Sequence, residues 1–122
     1  FYADDKDSFL SFGGPGGWND PDMLAIGNFG LSYEQSKAQM TLWTIFSAPL
    51  ILSNDLRDIR PEFVEILQHS EVLKIAKDPL GEPGTHVARK QNVDFFVRRV
   101  YPTLKHHYSY VVALLNRFLR TL

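Results

Sequence analysis

Two carboxylates stand two residues apart in the run Gly13-Gly14-Pro15-Gly16-Gly17-Trp18-Asn19-Asp20-Pro21-Asp22-Met23. In extended backbone, side chains at i and i+2 point to the same side, so Asp20 and Asp22 would present an acidic ridge to one site. Placed at the C-terminal end of a parallel strand, that ridge would lie on the face where α/β enzymes hold their substrates. Trp18 beside it offers an aromatic surface for the apolar face of a sugar. A purely structural reading fits the same residues: an Asx-type turn in which Asp20, Pro21 and Asp22 satisfy local N–H groups while Trp18 fills a core. Taken alone, turn chemistry accounts for them more simply.

Other residues that could do chemistry have plainer readings. His106-His107 would point to opposite faces of a strand, and no Cys or nearby carboxylate completes a metal site, so a solvated pair in a loop is expected. His69 near a helix end and His86 on an opening strand read as surface or capping residues. Arg89-Lys90 and Arg98-Arg99 with Phe95 and Phe96 look like a basic, aromatic face for nucleic acid. The near-neutral balance of 13 Lys and Arg against 14 Asp and Glu makes an ordinary β surface the expectation instead, with no nucleic-acid or anionic-membrane partner.

The elements that must position these residues are legible in part. A chain of 122 residues, 44% hydrophobic and 22% charged, has the composition of a globular protein of about one domain. Its longest apolar stretch, Trp43 to Leu52, is broken by Thr44, Ser47 and Pro49 and is too short to span a bilayer. The first residue is Phe1 and no signal-peptide pattern follows. There is no Cys and no Asn-x-Ser/Thr acceptor.

Residues 1–12 suit the frayed end of a helix, and residues 13–31 form an irregular stretch with at most a short strand at Gly17 to Asp20. Ser32 and Gln35 form the pattern of a capping box that starts a helix running to about Ser47, where Pro49 stops it. Its apolar positions Ala38, Met40, Leu42, Trp43, Ile45 and Phe46 occupy more than one face, so it needs cover on several sides. Pro49 to Ser53 reads as a strand buried on both faces of a parallel sheet. Pro61 opens a second helix to about His69, with Phe63, Val64, Ile66 and Leu67 inward, and Ser70 caps a further short turn. Beyond Asp78-Pro79-Leu80-Gly81-Glu82-Pro83-Gly84 the period is that of strands: Thr85 to Arg89, Val93 to Tyr101 and Tyr108 to Asn116, an antiparallel meander. The order suggests the end of a parallel α/β layer followed by the start of an all-β domain, each with partners missing.

The string Gly14 to Leu24, with Ile26-Gly27-Asn28-Phe29-Gly30-Leu31-Ser32, Gln39-Met40, Leu42-Trp43, Ala48-Pro49-Leu50, Ser53-Asn54-Asp55-Leu56-Arg57 and Asp78-Pro79-Leu80-Gly81, closely resembles glycoside hydrolase family 27. The similarity spans nearly all of 13–81, and after Gly84 only the strand pattern and Ala113-Leu114-Leu115-Asn116-Arg117 continue it. The tail Phe118-Leu119-Arg120-Thr121-Leu122 has no counterpart.

The resemblance implies an α/β fold: residues 1–80 as the last two strand-helix units of a (β/α)8 TIM barrel, and 81–122 as the first strands of an antiparallel β-sandwich domain. It implies a retaining glycosidase acting on terminal α-galactosides or α-N-acetylgalactosaminides, without cofactor or metal, homodimeric and lysosomal or secreted. Retention requires two carboxyl groups about 5 to 5.5 Å apart across the anomeric carbon. Asp20 and Asp22 are tempting for those parts, yet the resemblance places both catalytic aspartates on earlier strands. It gives Asp22 the sugar hydroxyls and Met23 the pocket lining, with Trp18, Asn19 and Asp20 as support. The alternative is a sugar-binding or scaffold protein that kept this wall and lost the active carboxylates; an upstream strand ending in Asp followed by Tyr-Cys would separate the two. Glu34-Gln35-Ser36 and Ala38-Gln39-Met40 lean towards the N-acetylgalactosaminidase branch.

Overall fold

The Ser32 hydroxyl accepts the N–H of Gln35 at 3.2 Å while the Gln35 side chain accepts the N–H of Ser32 at 2.9 Å. This reciprocal capping box starts α1, Tyr33–Ile45, as the sequence implies. The helix stops just short of Ser47, whose positive φ of 56° turns the chain before Pro49 can clash with the last turn. The computed structural model describes residues 12–105 and 107–117, so the helix end expected at residues 1–12, the tail 118–122 and His106 lie wholly or almost wholly outside the described residues.

Helix α1 is covered on two sides. One cluster joins Met40 to Leu24, Ile26, Phe63 and Ile66, and a second joins Ile45 and Phe46 to Ala48, Phe96 and Ala113. Trp43, half-buried, packs against both. Full burial of side chains of this size contributes about 1.5–3 kcal/mol each, which is why a helix apolar on more than one face is stable only between two layers.

The first layer holds α2, Pro61–Leu67, and α3, Ser70–Ala76. Pro61 occupies the first turn of α2, where its missing N–H costs nothing. Ser70 does not cap α3. The extended residue at the N-cap is His69, without a side-chain cap bond, because α2 ends at Leu67 and only Gln68 and His69 link the two helices. Beside them lies a one-residue parallel bridge, Leu24 to Leu52, in which the Leu24 N–H donates to Ile51 O at 2.7 Å and the Ser53 N–H to Leu24 O at 3.1 Å.

The strand expected at Gly17 to Asp20 is therefore displaced to Leu24. Gly14 and Gly17 instead bond each other across Pro15-Gly16, with Gly16 at φ 100°, the Pro-Gly arrangement of a type II turn. Pro21 has no N–H to offer a ladder, and pairing begins only beyond it.

The second layer is an antiparallel sheet ordered β1 (Thr85–Lys90), β2 (Val93–Leu104), β3 (His107–Asn116). The register pairs Phe96 with Ala113 on the face against α1, and Phe95 with Leu114 and Val97 with Val112 on the other. Tyr110, Val112 and Leu114 are exposed there. Gly84 joins sheet to helix: its N–H donates to Ile45 O at 2.7 Å, and a Cβ would sit 2.8 Å from that oxygen and 3.0 Å from Val97 O, so only glycine fits. Among the described residues no helix is long and apolar enough to cross a membrane.

Candidate functional site

The irregular segment before Leu24 is held by side chains bonding to backbone. One carboxylate oxygen of Asp20 accepts the Asp22 N–H at 3.3 Å, and Asp22 Oδ1 accepts the Met23 N–H at 2.7 Å. The Asx-type turn read from the sequence is thus present at Asp20, while Asp22 bonds only the N–H of the next residue. The Asp22 backbone has φ 93°, a region that favours glycine and costs a residue with a side chain about 1–3 kcal/mol. Asp22 and Met23 are both exposed, and among the described residues no cation pairs with Asp22.

Two residues of α1, four apart and hence on one face, grip this segment. The Trp43 indole N–H donates to Asp22 O at 2.8 Å. The Gln39 amide donates to Met23 O at 3.4 Å while its Oε1 accepts the Ala25 N–H at 2.9 Å. Neither has a functional part in the sequence reading, where Trp43 is an apolar helix position and Gln39 enters only through the family resemblance. The signal was available: a Gln and a Trp at i and i+4 carry hydrogen-bonding groups on the same face of the helix.

Asp20, Asp22 and Met23 are brought together; Trp18 is not tied to them. It is 48% exposed, so it does not fill a core, and it lines a cleft with Ser47, Ala48, Pro49, Lys77, Asp78 and Gly81. Asn19 packs against Gly13, whose hypothetical Cβ would meet Asn19 Nδ2 at 3.0 Å.

Of the basic pairs, Arg89, Lys90 and Arg99 lie on an exposed β surface as expected, and Arg98 does not. Arg98 is fully buried on the face against α1, where Nη1 donates to Thr44 O at 2.5 Å and Nη2 to Ser47 Oγ at 3.2 Å. The last turn of α1 has no basic residue of its own, so a cation from the sheet meets the negative end of the helix and adds a second donor to Thr44 O, which also accepts the Ser47 N–H at 3.2 Å. Burial pulls the Arg98 guanidinium below the usual arginine value, opposed by the nearby charges of Asp78 and Glu82.

His86 and Arg89 likewise turn to a buried partner, Asp94, at 2.8 and 2.6 Å, and Arg117 joins them on the other oxygen. Hydrogen bonds, first from Arg89 and then from His86 and Arg117, hold the Asp94 carboxyl at about 2 although burial opposes them. No group of three or more His, Cys, Asp or Glu that could hold a metal occurs among the described residues.

Comparison with known proteins places these features in a family. The family model described as alpha galactosidase A matches residues 1–78. The alpha-N-acetylgalactosaminidase of Gallus gallus is 50% identical over 99 residues, covering 80% of this chain and 24% of the relative. The alpha-galactosidase A of Homo sapiens is 44% identical over 112 residues, covering 92% and 25%. The crystal structure of alpha-galactosidase I from Mortierella vinacea superposes with a TM-score of 0.75 at 34% identity, over 83% of this chain and 24% of that one. The chain belongs to the alpha galactosidase A family, glycoside hydrolase family 27. It spans about a quarter of the length of the relatives it matches.

Proposed function

We propose that this chain is part of a retaining glycosidase for terminal α-galactosides or α-N-acetylgalactosaminides, and that it supplies one wall of the sugar pocket. Asp22 accepts hydrogen bonds from sugar hydroxyls, Met23 lines the pocket, and Trp18, Asn19 and Asp20 support them. The nucleophile and acid/base aspartates belong to an earlier part of the enzyme. The observation that carries this reading is Asp22 itself: an exposed carboxylate, held at a left-handed φ by bonds to its own backbone, with no cation beside it among the described residues. Such a group orients a ring and lowers the barrier by positioning.

Residues 1–80 are proposed as the end of a (β/α)8 barrel and 81–122 as the start of a β-sandwich. The lone parallel bridge, with Ile51 and Leu52 exposed, calls for neighbouring strands, and the exposed row Tyr110, Val112, Leu114 calls for a second sheet. A homodimeric, lysosomal or secreted enzyme goes with the same reading. Support comes from the names of the relatives and from a match confined to a quarter of their length.

The purified 122-residue chain should not hydrolyse a nitrophenyl α-galactoside. In the full-length protein, Asp22→Ala should lower kcat/KM at least tenfold, since a hydrogen bond to a charged group is worth about 1.5–3 kcal/mol. Turnover by the chain alone would overturn the placing of the catalytic aspartates, and unchanged kinetics the role of Asp22.

A further inference from the structure

The strained Asp22 backbone needs something to hold it, and the structure assigns that task to α1: we infer that Trp43, with Gln39, is a positioning residue for the Asp22 carboxylate. The inference rests on the proposed sugar-binding role of Asp22.

A residue at φ 93° relaxes towards ordinary backbone unless its neighbours over-determine it. Among the described residues the N–H of Asp22 meets only an exposed, long bond to Asp20 at 3.3 Å, and its carboxylate bonds the next residue, so both contacts can move with the loop. The indole bond to Asp22 O, at 2.8 Å, differs in kind because its donor stands on a rigid element packed against both hydrophobic clusters. Fixing the Asp22 carbonyl orients the Asp22–Met23 peptide, whose N–H bonds back to Asp22 Oδ1 and so sets the plane of the carboxylate. Gln39 fixes the following step by gripping Met23 O and the Ala25 N–H together. Trp43 touches no sugar in this scheme; it decides where the group that does so points.

The same indole ties the wall to the sheet. The carbonyl of Thr44, the residue after Trp43, takes the buried Arg98 Nη1, so the end of the helix that carries the indole is fixed from the far side.

The test is a double-mutant cycle in the full-length protein, with nitrophenyl α-galactoside and nitrophenyl α-N-acetylgalactosaminide as substrates. Trp43→Phe removes the N–H and keeps an aromatic ring. In the parent background it should lower kcat/KM about five-fold, as expected for loss of one neutral hydrogen bond acting on binding. In the Asp22→Ala background the same change should have less than about a two-fold effect, because the group being positioned is gone. A role in packing alone would give equal losses in both backgrounds, and that result, or no loss in either, overturns the inference. Should Trp43→Phe fail to fold, Gln39→Glu in the same cycle replaces it: the acceptor for the Ala25 N–H stays and the donor to Met23 O is lost, with the same non-additivity expected. If Asp22→Ala alone leaves kinetics unchanged, the sugar-binding reading falls and this inference with it. If Asp22→Ala is impaired while neither α1 variant is, only the inference falls.

Discussion

Asp22 and Asp94 are the same residue type in opposite situations. Asp94 is fully buried in the sheet and gathers His86, Arg89 and Arg117, so its charge is consumed by the fold. Asp22 is exposed on an irregular segment, touches only backbone N–H among the described residues, and keeps an acceptor for something outside. The difference separates two uses of charge in one chain. Where the sheet buries cations and anions, a change should be felt as stability; on the role proposed for Asp22, a change at the exposed wall should be felt as activity.

The comparison breaks most readily at Arg98, which stands on the stability side with the largest expected effect. Arg98→Ala strips Ser47 Oγ of its guanidinium donor, leaves Thr44 O with only the Ser47 N–H, and opens a void against α1, a loss of about 3 kcal/mol, measured by chemical denaturation of the full-length protein. Arg98→Met should lose less, because Arg98 Nε has no partner among the described residues and an apolar stem removes that burden.

Asp94→Asn comes next. It keeps the shape and removes the charge that two arginines share, at a loss of about 2 kcal/mol, modest because those arginines retain contact with water. Its pH signature has a definite sign. The Asp94 carboxyl titrates at about 2 in the fold against 3.8 unperturbed. A depressed carboxyl stabilises above its unfolded value, and this contribution fades as pH falls from about 4 through 2. Stability of the parent should decline across that window more steeply than that of Asp94→Asn, while kcat/KM near neutrality stays the same in both. A loss of kcat/KM in Asp94→Asn as large as in Asp22→Ala would erase the division between the regions.

Much of this division was legible in the sequence and part was not. The capping box at Ser32, Pro61 at the head of α2 and the three alternating strands follow from local chemistry, and the structure has them within a few residues. The strand expected at Gly17 to Asp20 failed because pairing depends on which N–H groups reach a partner, and Pro21 and the Gly14-Gly17 turn remove them from that stretch. Arg98 and His86 were misread as surface for a different reason. A charge on a strand looks solvated until the helix end or carboxylate that receives it is known, and Thr44 stands 54 residues from Arg98 in the chain. At the candidate site, Asp20 and Asp22 were visible as a pair, and local turn chemistry accounts for their bonds. The i, i+4 placing of Gln39 and Trp43 was visible too, but what they grip was not, since that needs α1 to fold back across the wall.

The smallest expected effect sharpens the comparison from within the wall. Asp20 shares the turn with Asp22 yet only supports it, accepting one exposed N–H at 3.3 Å. Asp20→Ala removes a bond whose net worth is about 0.5–1.5 kcal/mol, less than the charge-assisted contacts proposed for Asp22. The full-length variant should therefore lose about three-fold in kcat/KM, with a melting temperature close to that of the parent, because an exposed loop bond contributes little to global stability. Asp20→Asn keeps an oxygen at the same place and should recover most of that loss. Failure of Asn to restore what Ala removes would mean that the charge at Asp20, rather than its acceptor, matters, and Asp20 would then move from supporting Asp22 to acting beside it.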